Sequence, residues 1–473
     1  MEPRPSTHSP ATKARLRTKT GCSTCRQRRI KCGEEKPACR NCISASRGCV
    51  WPGPEELDRR LRKFREQLYP KATAATKPTV TNVTPLSPTL LPTDLFSLAE
   101  LDLIHHWLNV LSDLLVLPNA DPACVAGHSF ETLRMMTSCS GLKSAILACS
   151  ASNKSTLSKD PRYQVASLRY YNEAIRYVSD AVADIGHRSK APSDMLITTM
   201  TYVYAYDLWG PDGELDARKH VAAAITLMKI RYQTAPKQIC DSPTASWWYR
   251  VVYESVLYQA FFLAIRKPLS PDFDVDPELF QLQNEYQHLK SFATVLERQP
   301  LILGLPLSLY SLMIAVIKTP QLPEAQRRSQ LLELRTELAL WETLTDDDTP
   351  NLDVHSGFQA NAVALFVLAT SLLLDQMCEQ CLPAGNPAEL TTTSHTRWQV
   401  FAALRLLQRP DVSEMWTRCY LGAWPVLVVG YSAREEEHIS SIRSILRQMA
   451  ERTGYGEFQR ILEELEDLWA RKQ

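Results

Sequence analysis

The stretch CSTCRQRRIKC, residues 22–32, sets three cysteines and four basic residues, Arg26, Arg28, Arg29 and Lys31, within eleven positions. Seventeen residues further on, CRNCISASRGC, residues 39–49, repeats the spacing C-x2-C-x6-C. Aligning the repeats on their cysteines places Arg26, Arg28, Arg29 and Lys31 opposite Ile43, Ala45, Ser46 and Gly48. Only the first repeat is densely cationic, and the second carries just Arg40 and Arg47.

A segment this short cannot bury enough apolar surface to fold alone, so it needs a staple. The N-terminus, MEPRPSTHSPATKARLRTKT, is polar and basic and lacks the apolar core of a secretory signal. A reducing compartment is therefore expected, and there the expected staple is a metal rather than disulfides, Zn²⁺ held by thiolates. Six of the thirteen cysteines fall here: Cys22, Cys25, Cys32, Cys39, Cys42 and Cys49. One ion would leave two of them idle. Two tetrahedral ions need eight ligand positions, which six thiolates fill only if two of them bridge.

This pattern resembles the fungal binuclear zinc-cluster (Zn2Cys6) transcription factors. The basic run RQRRIK and the entry Lys36-Pro37-Ala38-Cys39 strengthen the resemblance. It implies two Zn²⁺ bridged by Cys22 and Cys39, and recognition of CGG-like triplets in the major groove of double-stranded DNA. It also implies base contacts from Arg28 and Arg29, the latter replacing the family's usual Lys. Arg26, Lys31, Arg40 and Arg47 join them as DNA-binding candidates, since cationic side chains pair with guanine edges or neutralise phosphates. Parts of the remainder, HHW, LRYYNEAI and ARKHVAAAITLM, resemble the fungal-specific regulatory domain that accompanies such clusters.

Charge supports a separate head. Residues 1–70 carry a net +10 and residues 71–473 a net −9, which together make the overall +1. A basic end on an acidic body suits a polyanion-binding module. The expected organisation is a disordered basic arm over 1–20, a DNA-binding zinc domain over 21–52, a short basic helix over 54–69 and a Thr/Pro-rich linker over 70–94. An all-α regulatory domain follows over 95–473. Its segments LAELDLIHHWLNVLSDLL, SLRYYNEAIRYVSDAVADI and LLELRTELALWETL repeat apolar residues at three- and four-residue spacing. The fold class expected is thus mostly α, a small zinc cluster joined to a large helical body.

Leu57, Leu61, Phe64 and Leu68 follow the spacing of a short coiled-coil seam, which offers homodimerisation through 54–69; the same helix could instead lie along phosphates. Residues 301–317, LILGLPLSLYSLMIAVI, form the best membrane candidate but are read as a buried core helix. His105-His106, Cys378-x2-Cys381 and Asp346-Asp347-Asp348 are read as structural or solvated, and the acidic amphipathic end FQRILEELEDLWARKQ as a packed helix. No nucleophile elbow, phosphate loop, dinucleotide fingerprint or HExxH is present. The expectation is a nuclear, sequence-specific regulator of RNA polymerase II transcription, acting with co-regulators and outside membranes, and not an enzyme. The alternative is a zinc-dependent protein-interaction module on a helical scaffold, which has no need of a one-sided charge.

Overall fold

The computed structural model describes residues 22–28, 30–33, 35–51, 96–188, 191–210, 214–234, 243–270, 279, 282–284, 286, 301–345, 354–381, 398–410 and 412–472. The arm, the 54–69 helix with its seam, the linker, Arg29 and Asp346–Asp348 lie outside them. The chain divides into two compact units, residues 1–84 and 85–473. Among the described residues every regular element is helical, as the fold class expected.

The small unit holds α1 (Ser23–Gln27) and α2 (Arg40–Ile43), one in each cysteine repeat. Its buried cluster consists of Cys22, Cys25, Cys32, Cys39 and Cys42, with Cys49 and Trp51 packed against it. That is no hydrophobic core in the ordinary sense, because sulfur fills the place of aliphatic side chains.

The large unit opens with α3 (Leu98–His106), capped as a box: Ser97 Oγ accepts from the Glu100 N–H, and Glu100 accepts from the Ser97 N–H at 2.8 Å. A π-helical turn, Trp107–Leu111, follows directly. Asp121 caps α4 (Pro122–Met136), with proline at its first position where the missing N–H costs nothing. Then come α5 (Ser140–Ser158), α6 (Pro161–Arg188), α7 (Asp194–Trp209), α8 (Glu214–Thr234) and α9 (Pro243–Ile265). Helix α5 lies against α6 and α7 and buries Gly141, Leu142 and every residue from Ser144 to Ala151. A Cβ at Gly141 would fall 2.1 Å from the Tyr177 ring, so only glycine allows that close approach.

The second half places α10 (Leu307–Lys318) and α11 (Glu324–Thr345) around α12 (Val354–Cys381). It closes with α13 (Trp398–Gln408), α14 (Ala423–Ser432), α15 (Glu436–Thr453) and α16 (Gly456–Lys472). The C-terminal helix packs as expected, burying Phe458, Ile461, Leu462, Leu465 and Trp469. At its start, the buried Arg266 pairs with Glu457 and lies 2.9 Å from Glu464, tying the end of α9 to α16.

The reading of 301–317 as one helix is corrected. Helix begins only at Leu307, because Gly304 takes φ +71° and Pro306 stands at the N-cap. The non-helical Leu301, Ile302 and Leu303 are buried nonetheless, and their N–H groups find a carboxylate instead of a helix. Among the described residues, the helical stretch long and apolar enough to cross a membrane is a different one, Gly357–Glu379, and 72% of its most apolar window is buried inside the protein. His106 Nε2 donates to Asn153 Oδ1 at 2.9 Å while His105 is exposed, which fits their structural reading. Cys378 is buried within α12.

Candidate metal centre and nucleic-acid interface

Each repeat begins with a cysteine at a helix N-terminus, and the backbone of each turns its N–H groups toward sulfur. Cys22 Sγ accepts from the Cys25 N–H at 3.3 Å. Cys32 Sγ accepts from the Cys22 N–H at 3.3 Å, and Cys49 Sγ accepts from the Cys39 N–H at 3.4 Å. The last two bonds are the same bond seventeen residues apart. Two more pairs obey that offset: Ile30 N–H to Cys25 C=O at 3.1 Å matches Arg47 N–H to Cys42 C=O at 3.0 Å. Thr24 Oγ1 donates to Gly48 C=O at 2.8 Å, and Asn41 Nδ2 donates to Lys31 C=O at 2.7 Å. The sequence repeat is therefore a structural repeat, with each half bracing the other.

The six sulfurs fall into two sets of four, Cys22, Cys25, Cys32, Cys39 and Cys22, Cys39, Cys42, Cys49, with atoms of each set within 4.8 Å of one another. Cys22 and Cys39 belong to both. Four sulfurs about 2.3 Å from a tetrahedral zinc stand about 3.8 Å apart. The observed separations are 3.8 Å for Cys22–Cys39, 3.7 Å for Cys22–Cys42 and 3.5 Å for Cys25–Cys39. Donor type, number, sharing and spacing all fit two ions with two bridging thiolates. Burial and hydrogen bonds among the sulfurs push the Cys25 and Cys42 thiols up, while the Cys42 N–H and neighbouring thiols outweigh burial and pull Cys39 down to about 6; a bound cation would favour the thiolate form of the whole set.

The cationic candidates take distinct places. Arg26 is exposed in the last turn of α1, and Lys31, Arg40 and Arg47 are exposed too. Arg28, at the C-cap of α1, is half-buried and donates from Nη1 to Asn41 C=O at 3.0 Å. The Arg40 N–H donates to Glu35 Oε2 at 3.1 Å, and backbone N–H bonds hold that carboxylate below its usual range. Asn41 and Thr24 escaped the sequence reading. The repeat alignment contained the signal, since it sets these two small polar residues opposite each other inside the two C-x2-C pairs. Trp51 also escaped it: its indole donates to Pro37 C=O at 2.8 Å, and Lys36 Nζ lies 5.7 Å from its ring centre.

The head has the sulfur geometry of a two-metal thiolate cluster and every regular element described in the body is a helix, and comparison with known proteins gives the family. Residues 20–56 match the fungal Zn(2)-Cys(6) binuclear cluster domain, and residues 102–473 match the fungal specific transcription factor domain. The chain belongs to this family of fungal transcription factors. A transcriptional regulatory protein of Schizosaccharomyces pombe is 69% identical over 36 residues, 8% of this chain and 7% of the relative. A transcription activator of Alternaria alternata is 59% identical over 39 residues, 8% of this chain and 5% of its own. A transcription factor of Flammulina velutipes is 37% identical over 76 residues, 15% and 27% of the two chains. The matched stretches thus span well under a third of these relatives. No solved structure matches the chain.

Proposed function

We propose that this protein is a nuclear, sequence-specific DNA-binding regulator of RNA polymerase II transcription, whose two-zinc head reads a CGG-like triplet in the major groove. The observation that carries the reading is the pair of four-sulfur sets sharing Cys22 and Cys39, built on a repeat of which only one half is strongly basic. Zinc, when bound, supplies the cross-links that a core would otherwise provide. The residues themselves do the rest. Arg28 and Arg29 are assigned to base edges, and Arg26, Lys31, Arg40 and Arg47 to phosphates or flanking edges, with phosphate contacts setting register. Segment 54–69 is assigned to homodimerisation, which would select two half-sites at fixed spacing. The helical body is assigned to co-regulator contacts.

Selection of duplexes from a randomised pool by the zinc-loaded full chain tests this, at one stated salt concentration. A CGG-type motif is expected. Arg28→Ala and Arg29→Ala should each cost about 1–3 kcal/mol on that motif and relax it, while Arg40→Ala and Arg47→Ala weaken all sequences alike. A two-zinc protein that enriches no motif would instead favour the protein-interaction module. A motif changed by Arg40→Ala or Arg47→Ala alone would move the reading head to the second repeat.

A further inference from the structure

The large unit contains a cavity of about 60 Å³ that no part of the DNA-reading proposal uses. It lies among the π-helical turn after α3, helices α4, α7 and α9, the Ile302 loop and the turn at Tyr455. Its walls combine aliphatic side chains with several aromatic ones, including Trp107, Tyr202, Trp209 and Tyr258. Among the described residues the lining contains no aspartate, glutamate, lysine or arginine, and burial pushes His128 down to about 4, so that imidazole is neutral near pH 7. Tyr204 and Ser255, also in the wall, satisfy each other at 2.6 Å. Three wall residues are left with unpartnered polar atoms shut off from bulk water, Trp107 Nε1, Gln259 Oε1 and Tyr455 Oη. Buried polar atoms are nearly always bonded, so three at one cavity need an explanation. The π-helical turn beside them is a second mark, because single π turns inside helices recur at functional sites.

We propose that this cavity is a binding site for a small uncharged molecule that joins an apolar or ring-shaped body to a hydrogen-bond donor, such as a phenol or a compact alcohol. The apolar walls take the body, and the Gln259 carbonyl oxygen and the Tyr455 hydroxyl take the polar end. A charged ligand is excluded, because nothing in the lining would offset the loss of its hydration. Size is limited as well: a cavity of about 150 Å³ admits benzene and one water needs about 10–15 Å³. The site as it stands therefore holds only a few heavy atoms, and a ring enters as the walls give way. The inference does not depend on DNA reading, and its test contains no DNA.

The probes are phenol, toluene and benzoate, titrated into the zinc-loaded full chain and followed by calorimetry and by tryptophan fluorescence excited at the indole edge. Phenol should bind saturably, at least tenfold tighter than toluene, and benzoate should not bind. Ala205→Leu, which fills the cavity from α7, should weaken phenol at least tenfold. Gln259→Leu should keep toluene binding and erase the preference for phenol; it also serves as the second variant if the filled cavity impairs folding. Failure of phenol to bind saturably would mean that the cavity holds water only, and would overturn the proposal. Benzoate binding as tight as phenol would overturn it too, as would phenol binding unaffected by both substitutions.

Discussion

Replacing Glu254 by alanine should destabilise the large unit as severely as the costliest single truncations of its aliphatic core, about 2–5 kcal/mol each. Glu254 is wholly buried in α9. Its Oε2 accepts from the N–H groups of Leu301 and Ile302, each at 2.7 Å, and of Leu303 at 3.3 Å. Its Oε1 accepts from the Tyr286 hydroxyl at 2.7 Å and from Arg250 Nε at 3.0 Å. The clamped loop is itself a hub: Leu117 N–H donates to Leu301 C=O at 2.7 Å, and Tyr420 to Ile302 C=O at 2.6 Å. Tyr310 donates to Leu303 C=O at 2.7 Å. Truncation strands every donor at once. A buried donor left unpaired costs about 1–3 kcal/mol, and removing one partner of a buried ion pair about 3–5 kcal/mol. The losses share one carboxylate and do not add, so about 4–5 kcal/mol is expected for Glu254→Ala, at the extreme of single substitutions. Glu254→Gln keeps the shape and one acceptor oxygen, but turns an NH2 toward donors on one side; about 2–3 kcal/mol is expected, the scale of hydrogen bonds to a charge. Equilibrium unfolding in urea, followed by helical circular dichroism, reads both as shifts of midpoint at constant slope. An alanine variant within about 1 kcal/mol of wild type, or no worse than the glutamine variant, would refute the clamp.

Exhaustive chelation should unfold the small unit, whose core is sulfur and Trp51, while the helical signal of the large unit persists; native mass spectrometry of the loaded chain should count two Zn²⁺. Thr24→Ala and Asn41→Ala should each speed zinc loss to a competing chelator, by about 1 kcal/mol for the lost hydrogen bond, yet leave the count at two. His128 supplies a pH test. Its folded pKa, pushed down by burial to about 4, lies below its ordinary 6.5, so the unfolded chain takes up a proton first as pH falls. Stability is then present above about pH 6.5 and is lost on the way to pH 4, by about 1–2 kcal/mol at pH 5, and His128→Phe should flatten that slope in thermal melts between pH 7 and 5.

What could be read from the sequence follows from how local each determinant is. The metal centre was legible because thiolate chemistry requires one residue type at fixed spacing, and the seventeen-residue repeat displayed that spacing twice. The helical body was legible from apolar periodicity, which a long amphipathic helix such as α6 or α16 cannot hide. Residues 301–317 show where that logic stops. Apolarity correctly reported that Leu301, Ile302 and Leu303 are buried, but burial obliges a backbone N–H to find an acceptor, not to find it in a helix. Here the acceptor is Glu254, 47 to 49 residues earlier in the chain. The cavity was invisible for the same reason, since its wall gathers side chains from Trp107 to Tyr455 and no short window holds its pattern. Arg28 lies between the two cases. Its charge and place in the basic run were plain, but its bond to Asn41 C=O depends on the second repeat folding back across the first. On the proposed function, that bond would give the weakly charged repeat a task in reading, because it holds the guanidinium of the strongly charged one: contact would fall to one half and support to the other.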